Sequence, residues 1–504
     1  MKVLLFYPNL YGMNTLPPAL GLFTSILKSE GHEVKLFDTS VYKGLYDSID
    51  TDKKKSDNLN ARPYDDSLLK KYVRLSSAEN DFRLAIDDFR PDLIAMSATE
   101  DMYPVGINLL LSLRTKDRPP VVAGGVFPTF APDLALQYSQ GSIDVVLRGE
   151  GEMTLPELCR TMEAGGDISG IDGLYMKRNG ILISNRLPAP TDVNIPHLPD
   201  YSQFEESRFY RPMQGKLRRM LPITTIRGCP YTCGYCNSPS QKEIYRQDGH
   251  EFLRKKRIEG IRLELNHCLK AYKADSFYFW ADTFLAWNDS EFDEFCDMYS
   301  DFKLPFWIQT RPETITEYKI RRLKDIGLLR IAFGIEHGNE TFRREILGRK
   351  VTNEVILKNL KVVTDHDIPI SVNNIIGFPS ETRELAFDTI EFNRKIRSDG
   401  INAYAYTPFH GTPLRKRSED LGYIEKGSLA RCINNPTMIS MPHFAKNEIE
   451  GIIRCFVLYT KMPKSRWKDI KRAESATAEG NRIWEELKDE CLRSYMHYGD
   501  HEET

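Results

Sequence analysis

One segment decides the architecture of this chain: ITTIRGCPYTCGYCN, residues 223–237. It begins as a β-branched, apolar run that predicts a buried strand. A tight loop follows, in which Gly228 and Gly234 allow the backbone to curl. The loop holds three cysteines in the spacing Cys-x3-Cys-x2-Cys, namely Cys229, Cys233 and Cys236. Their thiolates can converge on one centre, so the loop predicts a metal site.

Three interpretations of this loop are open. A structural zinc site normally takes four ligands, and the missing fourth ligand counts against it. An iron–sulfur cluster is the natural alternative, because three thiolates on four irons leave one iron open to a substrate or cofactor. Three unrelated buried thiols are the least favoured interpretation at this spacing. The chain has nine cysteines in all, and we expect the six scattered ones to be small buried hydrophobes: Cys159, Cys268, Cys296, Cys432, Cys455 and Cys491.

Length and composition limit the class of protein. The 504 residues predict about three domains, and 41% hydrophobic residues suffice for several packed cores. A net charge of −2 argues against sequence-independent nucleic-acid binding, which needs excess positive charge. We find neither an apolar run of roughly 18 residues nor a signal-peptide core. The sequence therefore predicts a protein without a transmembrane segment and a cytoplasmic location.

The first 155 residues predict a doubly wound parallel sheet. Short apolar runs alternate with helical stretches such as residues 19–30 and 105–114, as expected for strands buried on both faces. The predicted strands are residues 3–8, 34–39, 93–99, 121–125 and 144–147. Ligands of such sheets bind outside the carboxyl ends of the strands.

Glycine and hydroxyl residues follow three of these strands. Glycine permits close backbone approach by a ligand, and Ser or Thr supplies hydrogen bonds. Gly-rich turns also occur in doubly wound folds that bind nothing at this edge, so both interpretations stay open. The candidate residues are Ser97, Thr99, Glu100, Gly124, Gly125, Pro128, Thr129, Gly149, Glu150 and Gly151.

Residues 156–220 predict a connector. An Asn179-Gly180 turn joins two short strands into a hairpin. Prolines at 188, 190, 196 and 199 then predict an extended tether between two domains.

Strand and helix patterns alternate again after the cysteine loop. The predicted strands are residues 277–280, 306–309, 331–335, 370–376 and 403–407, and helices are predicted at 288–302, 318–326, 353–365 and 384–396. Six βα units between residue 223 and about 414 predict a partial (βα)6 barrel, with its chemistry at the strand carboxyl ends. Those ends carry Asp282, Gln309, Arg311, Glu336, Asn374 and His410.

The loop Cys229-x3-Cys233-x-Tyr235-Cys236 resembles the signature of the radical S-adenosylmethionine (SAM) superfamily. The resemblance implies a [4Fe–4S] cluster on the three cysteines, whose open iron binds the amino and carboxylate groups of SAM. An electron from the cluster would then cleave SAM to methionine and a 5′-deoxyadenosyl radical.

Three further segments resemble SAM-contacting motifs of that superfamily. Residues 334–338 (GIEHG) resemble the ribose-contacting motif, and residues 375–382 resemble the stretch near the adenine, with Ser380 where a second glycine is usual. Residues 279–282 (FWAD) occupy the position that contacts the amino group. The SAM contacts that we infer are Tyr235, Asp282, Gln309, Arg311, Glu336, Asn374 and Gly377. Alternatively, Glu336 pairs with Arg330 or Arg311, and His337 and His410 are hydrogen-bonded structural residues.

A doubly wound domain ahead of such a barrel resembles the cobalamin-binding radical SAM subfamily. The motifs Gly-Gly-x-x-Pro-Thr and Arg-Gly-Glu-Gly-Glu support the resemblance, which implies that the ten strand-end residues above, together with Tyr11, contact cobalamin. The motif Asp-x-His-x-x-Gly of other cobalamin domains does not occur. The resemblance therefore implies that water, Tyr11 or Tyr103, and no imidazole, lies beneath cobalt.

The predicted domains are residues 1–155 (cobalamin), 156–220 (hairpin and Pro-rich linker), 221–414 (partial barrel) and 415–504 (C-terminal helical extension). The resemblance implies C-methylation of an unactivated carbon through a 5′-deoxyadenosyl radical and methylcobalamin. The alternative is cyclisation, rearrangement or other non-methylating radical chemistry. A cobalamin sensor without catalysis leaves the cysteine loop unexplained. Expected partners are a small-molecule, lipid or natural-product substrate and an electron donor such as flavodoxin or ferredoxin; no individual catalytic residue is predicted.

Overall fold

The computed structural model describes residues 1–13, 15–47, 51–113 and 118–496. Arg114, the last residue of the helix predicted at 105–114, and residues 497–504 of the predicted C-terminal extension lie outside the described residues. In the part of the chain that the structure describes, no helix combines the length and apolar content that crossing a bilayer requires.

The N-terminal half is built on one seven-stranded sheet. Its strands are β1 (Lys2–Tyr7), β2 (Glu33–Asp38), β3 (Leu93–Ser97), β4 (Val121–Gly124), β5 (Val145–Leu147), β6 (Leu174–Arg178) and β7 (Ile181–Ser184). Its helices are α1 (Pro18–Ser29), α2 (Thr51–Asp57), α3 (Ser67–Lys70), α4 (Ala78–Phe89), α5 (Tyr103–Leu111), α6 (Val126–Phe130), α7 (Pro132–Tyr138) and α8 (Gly151–Glu163). The strand order is β2-β1-β3-β4-β5-β6-β7, with the first five strands parallel.

This sheet confirms the predicted doubly wound fold. The four central residues of β1, 3–6, are fully buried, because helices cover both faces of the strand. The strand order reverses between β1 and β3, and ligands of such sheets bind at this switch point.

The predicted hairpin is present, but it belongs to the sheet. β6 pairs antiparallel with β5, and β7 forms the edge strand. Asn179 and Gly180 connect them with φ values of 53° and 82°, as a type I′ turn requires. Helix α8 also runs across residue 155, the predicted domain limit. The four domain limits stay a prediction.

The second half is built on another seven-stranded sheet, of order β16-β15-β14-β13-β12-β9-β8. The strands of this half are β8 (Tyr210–Met213), β9 (Lys216–Thr224), β10 (Ile226–Arg227), β11 (Arg254–Lys255), β12 (Ser276–Trp280), β13 (Phe306–Thr310), β14 (Leu328–Glu336), β15 (Ile370–Ile376) and β16 (Gly400–Ala405). Its helices are α9 (Asn237–Gln247), α10 (Ile258–Tyr272), α11 (Asp289–Tyr299), α12 (Glu317–Asp325), α13 (Glu340–Glu345), α14 (Asn353–Asp365), α15 (Arg383–Asn393) and α16 (Pro413–Asp420). Six strands run parallel and β8 antiparallel, which confirms the partial (βα)6 barrel.

Alternation along the barrel strands separates two faces. Ile308, Ile331 and Val372 are fully buried in the core that packs against the helices. Their neighbours one position away, such as Trp307 and Arg330, line an internal cavity. Side chains of a strand alternate between its faces, so the odd or even position of a residue decides whether it can reach a ligand in the lumen.

The C-terminal helices are α17 (Lys446–Lys461), α18 (Trp467–Ala473) and α19 (Ala478–Ser494). Helix α17 lies against β16 and α15. It contributes Ile449 and Ile452 to the main core, where both are fully buried. These helices confirm the predicted helical extension.

Candidate active site

The cysteine loop is fixed to the barrel on several sides. β10 pairs antiparallel with β11, so Arg227 lies opposite Arg254. Gly228 then turns the chain with a φ of 89°, where a side chain would be strained. The amide of Gly234 donates to Leu347 (3.1 Å), and its carbonyl accepts from Leu414 (2.9 Å). Gly234 has no positive φ, and a side-chain carbon there would have no atom closer than 3.5 Å, so this position does not require glycine for the curl that we predicted.

The three loop thiols have different neighbours. Cys229 Sγ lies 3.6 Å from Thr283 Oγ1, Cys233 Sγ accepts from Arg311 Nη1 at 3.3 Å, and Cys236 precedes helix α9. Burial raises the pKa of Cys229, and it raises the pKa of Cys236 to about 12. Among the described residues, no three His, Cys, Asp or Glu side chains converge as ligands of a single metal ion.

A buried polar group stands beside this loop at the barrel mouth. Glu336 ends β14 at a shift in strand register and has a φ of 66°, a strained conformation that is common at functional sites. Arg349 Nη1 lies 3.2 Å from Glu336 Oε1 and 3.4 Å from the Tyr235 hydroxyl. Arg349 is thus the partner of Glu336, in place of the predicted Arg330 or Arg311.

Arg349 keeps unused hydrogen-bonding capacity. It is 2% exposed, and its Nε and Nη2 atoms have no hydrogen-bond partner among the described residues. Buried N–H groups are normally satisfied, and a guanidinium pairs best with a carboxylate. The mouth therefore fits a ligand with a carboxylate, such as the methionine portion of SAM. Arg349 was not predicted from the sequence, because it lies well beyond the end of β14.

Asp282, Gln309 and Arg311 also lie at the mouth, as predicted. Asp282 accepts a 2.6 Å hydrogen bond from Ser238, and burial raises the pKa of Asp282. Gln309 lines the cavity and donates to the carbonyl of Ala281 at 3.3 Å. Arg311 stacks over the Tyr231 ring, 3.6 Å from its centroid.

Asn374 does not reach the mouth. Its side chain is fully buried on the helix-facing side of β15, where it exchanges hydrogen bonds of 3.1 and 2.8 Å with Asn393. Its neighbour Asn373 lines the cavity and accepts from Asn402 at 2.8 Å. The side chain of Asn374 therefore faces the helices and not the lumen, where we predicted a contact with SAM.

Gly377 and the two histidines are held by carboxylates. Gly377, with a φ of 92°, donates its amide to Glu381 Oε2 at 2.6 Å. The other oxygen of Glu381 lies 3.3 Å from His337 Nε2, and His337 Nδ1 accepts from the Asn339 amide. His410 hydrogen-bonds Glu100, so both histidines have the structural role that we predicted.

A cavity of about 980 Å³ connects the two sheets. One side is formed by the loops after β1 and β3, the strands that flank the switch point, and includes Tyr11 and Thr99. The other side is the barrel lumen, including Trp280, Gln309 and Tyr404. No histidine is among the described residues that line it. A large cofactor held at the switch point would therefore face the barrel directly, which fits cobalamin.

Comparison with known proteins agrees with this arrangement. Residues 223–392 match the radical SAM superfamily, and residues 70–159 match the B12 binding domain. The chain therefore contains a B12-binding domain and a radical SAM domain. Its cofactors are a [4Fe–4S] cluster, SAM and cobalamin.

Individual relatives are more distant. The chain is 27% identical to the uncharacterized methyltransferase PH0819 of Pyrococcus horikoshii, over 78% of this chain and 83% of that protein. It is 24% identical to the anaerobic magnesium-protoporphyrin IX monomethyl ester cyclase of Rubrivivax gelatinosus, over 72% and 64%. The solved structure of the cobalamin-dependent SAM radical enzyme OxsB aligns with a TM-score of 0.66 at 15% identity, over 97% and 71%.

Most of the glycines predicted to contact cobalamin serve internal packing in this radical SAM protein. Gly125 has a φ of 126°, and a side chain there would overlap the carbonyl of Ala98. A side chain at Gly149 would lie 2.6 Å from the Tyr245 hydroxyl, and one at Gly151 would lie 2.9 Å from the ring of Phe23.

The remaining predicted cobalamin residues are distributed as follows. Thr129 Oγ1 accepts from Gly149 and donates to Gly125, which ties two loops together. Ser97 and Gly124 pair on adjacent strands, and a side-chain carbon added at Gly124 would have no atom closer than 3.7 Å. Pro128 is buried in α6. Tyr103 is fully buried and donates to the Ala135 carbonyl (3.0 Å), which removes it as a ligand of cobalt.

The two predicted acidic residues join the B12-binding domain to the barrel. Glu100 accepts hydrogen bonds from the His410 amide (2.8 Å) and the Ala430 amide (2.7 Å), and its carboxylate is buried. Glu150 pairs with Arg254 (2.6 Å) and Arg227 (3.3 Å). Neither residue lines the cavity. The carboxylate oxygens of both are occupied by protein groups.

Proposed function

We propose that this protein is a C-methyltransferase that methylates an unactivated carbon of a small molecule by cobalamin-dependent radical SAM chemistry. The observation that carries the proposal is the single cavity shared by the B12-binding domain and the barrel lumen. A carbon activated beside Trp280 and Gln309, at the carboxyl end of the lumen, would lie in the same cavity as the cobalamin. The similarity to a named methyltransferase over most of both chains supports the same activity.

The chemistry would come from the cofactors: SAM bound at the cluster supplies the radical that removes a hydrogen atom, and cobalamin supplies the methyl group. The chain's part is to bind, orient and exclude water. We assign Cys229, Cys233 and Cys236 to the cluster. We assign Tyr235, Asp282, Gln309, Arg311, Glu336 and Arg349 to SAM, with Gly377 shaping the loop near its adenine.

At the other side of the cavity, we assign Tyr11, Thr99 and Gly124 to cobalamin. Tyr11 and Thr99 line the shared cavity, and Gly124 leaves room for a ligand at the strand end. A one-electron donor such as flavodoxin or ferredoxin would reduce the cluster, and the substrate would be a small molecule, lipid or natural product.

Isotope transfer tests the proposal. The reconstituted protein is incubated anaerobically with a metabolite extract, reductant and SAM carrying a trideuteriomethyl group. We expect a product that carries the intact labelled methyl, with S-adenosylhomocysteine and 5′-deoxyadenosine in equal amounts. The Cys229→Ala, Cys233→Ala, Cys236→Ala triple variant is the control.

The similarity to a cyclase favours one alternative, a radical reaction without methylation. The same experiment distinguishes the two. A product that forms with 5′-deoxyadenosine, but without label and without S-adenosylhomocysteine, would contradict the methyltransferase and establish the alternative.

A further inference from the structure

The floor of the barrel lumen carries an arginine that the cofactor sites do not use. Arg330 lies near the start of β14, at the end of the strand opposite Glu336, and its side chain lines the cavity. Within the described residues, the side chain of Arg330 makes no hydrogen bond and no ion pair. Burial lowers the pKa of Arg330, because removal from water disfavours the charged form.

One acid among the described residues acts on the charge of Arg330 without forming an ion pair with it. Asp399 is the acid whose charge acts on Arg330. That carboxylate already lies 3.8 Å from Arg62, and it accepts from the Ile370 amide at 3.1 Å. Arg211 adds a further positive charge over the ring of Trp307, at 5.2 Å. Among the described residues, no carboxylate is therefore hydrogen-bonded to, or ion-paired with, the guanidinium of Arg330.

The position of the Arg330 guanidinium depends on a neighbouring glycine. A side-chain carbon at Gly400 would lie 2.5 Å from Arg330 Nη2. Gly400 has no positive φ, so its backbone does not require glycine. The missing side chain instead lets the guanidinium lie across β15 against the start of β16.

The walls above Arg330 are aromatic. Trp307 is its neighbour on β13, and Trp280 and Tyr404 line the same cavity closer to the mouth. Arg330 and Glu336 are separated by six residues of β14, or about 20 Å of strand. A ligand that reaches from the floor to the mouth is therefore elongated, with a body that can stack on aromatic rings.

We propose that Arg330 binds a carboxylate of the substrate, so that the substrate is an organic acid with a flat, apolar body whose reacting carbon lies at the mouth. The identification of this ligand as the substrate rests on the proposed function. The acid-binding site itself is inferred from the residues that line the cavity. A planar carboxylate can accept two hydrogen bonds from one guanidinium and would pair with the charge of Arg330.

A matched pair of probes tests this site without turnover. 2-Naphthoate and 2-naphthamide have nearly the same shape and differ in charge. Their dissociation constants are measured by titration calorimetry on the protein reconstituted with its three cofactors. We expect the wild type to bind the carboxylate about tenfold more tightly than the amide, since a buried charged hydrogen bond is worth roughly 1.5–3 kcal/mol.

Three variants sharpen the result. Arg330→Gln should weaken naphthoate binding by about tenfold and leave naphthamide binding unchanged, whereas Gly400→Ala should cause part of that loss by displacing the guanidinium. Arg482→Gln, at an exposed arginine that pairs with Glu486, is the matched control and should change neither affinity.

Three other outcomes overturn the proposal. Equal affinity for the two probes in the wild type, or no binding of either, would show that the floor does not select an acid. An equal loss of both probes in Arg330→Gln would assign Arg330 to the shape of the cavity alone. Since no methyl transfer is required, a failed labelling experiment with an intact preference for naphthoate would remove the methyltransferase and leave the acid site.

Discussion

The carboxyl edges of the two sheets follow the same positional rule but use their polar residues differently. At the barrel mouth, Glu336 and Arg349 pair at 3.2 Å beside the cysteine loop, and Nε and Nη2 of Arg349 have no hydrogen-bond partner among the described residues. At the edge of the N-terminal sheet, Glu100 and Glu150 are saturated by partners from the other half of the chain. Position at a strand end therefore identifies the edge of the sheet where ligands bind. Only an unsatisfied hydrogen-bonding group identifies the side chain that contacts the ligand.

The largest expected effect breaks the barrel side of this comparison. Replacing Cys229, Cys233 and Cys236 with Ala should reduce bound iron from about four per chain to none, because these thiolates are the proposed ligands. Iron analysis and the visible spectrum of the anaerobic protein measure this. Cys491→Ala, which removes a buried thiol elsewhere, should keep its iron. A triple variant with a normal cluster would contradict the ligand assignment.

The second prediction concerns the acidic residues that join the halves. Arg227 lies between Glu150 and Glu152, at 3.3 and 2.7 Å, and all three side chains are largely buried. Replacing both acids with Gln should lower the free energy of unfolding by about 3–5 kcal/mol, because it leaves a buried cation unpaired. Chemical denaturation measures the change. Asp172→Asn, which breaks the exposed pair with Arg186, should cost less than about 1 kcal/mol.

Glu150 gives the stability of the protein a pH dependence. Burial would raise the pKa of Glu150, but the Arg254 hydrogen bond and the charges of Arg227 and Arg254 lower it overall. A carboxyl whose pKa is lower in the folded state stabilises the fold above its unfolded pKa of about 4.3. Stability should therefore fall as pH drops below that value, and less steeply in the double Gln variant. An unchanged slope in that variant would contradict this account.

The third prediction separates the two adjacent glycines. Gly125→Ala should destabilise the protein by roughly 2–4 kcal/mol, because its φ of 126° and the Ala98 carbonyl both exclude a side chain. Gly124→Ala should change stability by less than about 0.5 kcal/mol, since the nearest atom is 3.7 Å away. If Gly124 contacts cobalamin, its Ala variant should nevertheless bind the cofactor more weakly, as measured by spectroscopic titration. Equal destabilisation of the two variants would contradict the structural distinction.

The smallest expected effect tests the strand faces. Asn374→Ala should cost about 1–3 kcal/mol of stability, because it leaves the buried side-chain oxygen of Asn393 without its donor. SAM binding by that variant should not change. Asn373→Ala, at the cavity-lining neighbour, should leave stability nearly unchanged and weaken binding in the lumen instead. Reversed effects in thermal unfolding and SAM titration would show that the two faces have been exchanged.

The sequence predicted both sheets because strands buried on both faces leave short apolar runs that need no tertiary information to recognise. It also placed Asp282 and Glu336 at the mouth, since both directly follow such runs. It could not choose between Asn373 and Asn374, because two adjacent polar residues hide the alternation on which the choice depends.

Other parts of the site depend on contacts between distant segments. Arg349 reaches Glu336 from beyond helix α13, and no spacing rule connects them. Glu100 meets His410 across 310 residues, so its structural role could not be separated from ligand binding by sequence. The position of the Arg330 side chain depends on Gly400, which has no positive φ and is not part of a turn signal in the sequence.

The position of Arg227, two residues before Cys229, has a consequence for how such proteins can be recombined. Because its charge partners are Glu150 and Glu152, which lie in the segment that matches the B12 binding domain, the cluster loop is partly held by the neighbouring domain. A chimera that exchanges the B12-binding domain must carry compatible acids at these two positions to keep the loop in place. The B12-binding domain and the barrel therefore have to match at these contacts, whichever substrate the protein binds.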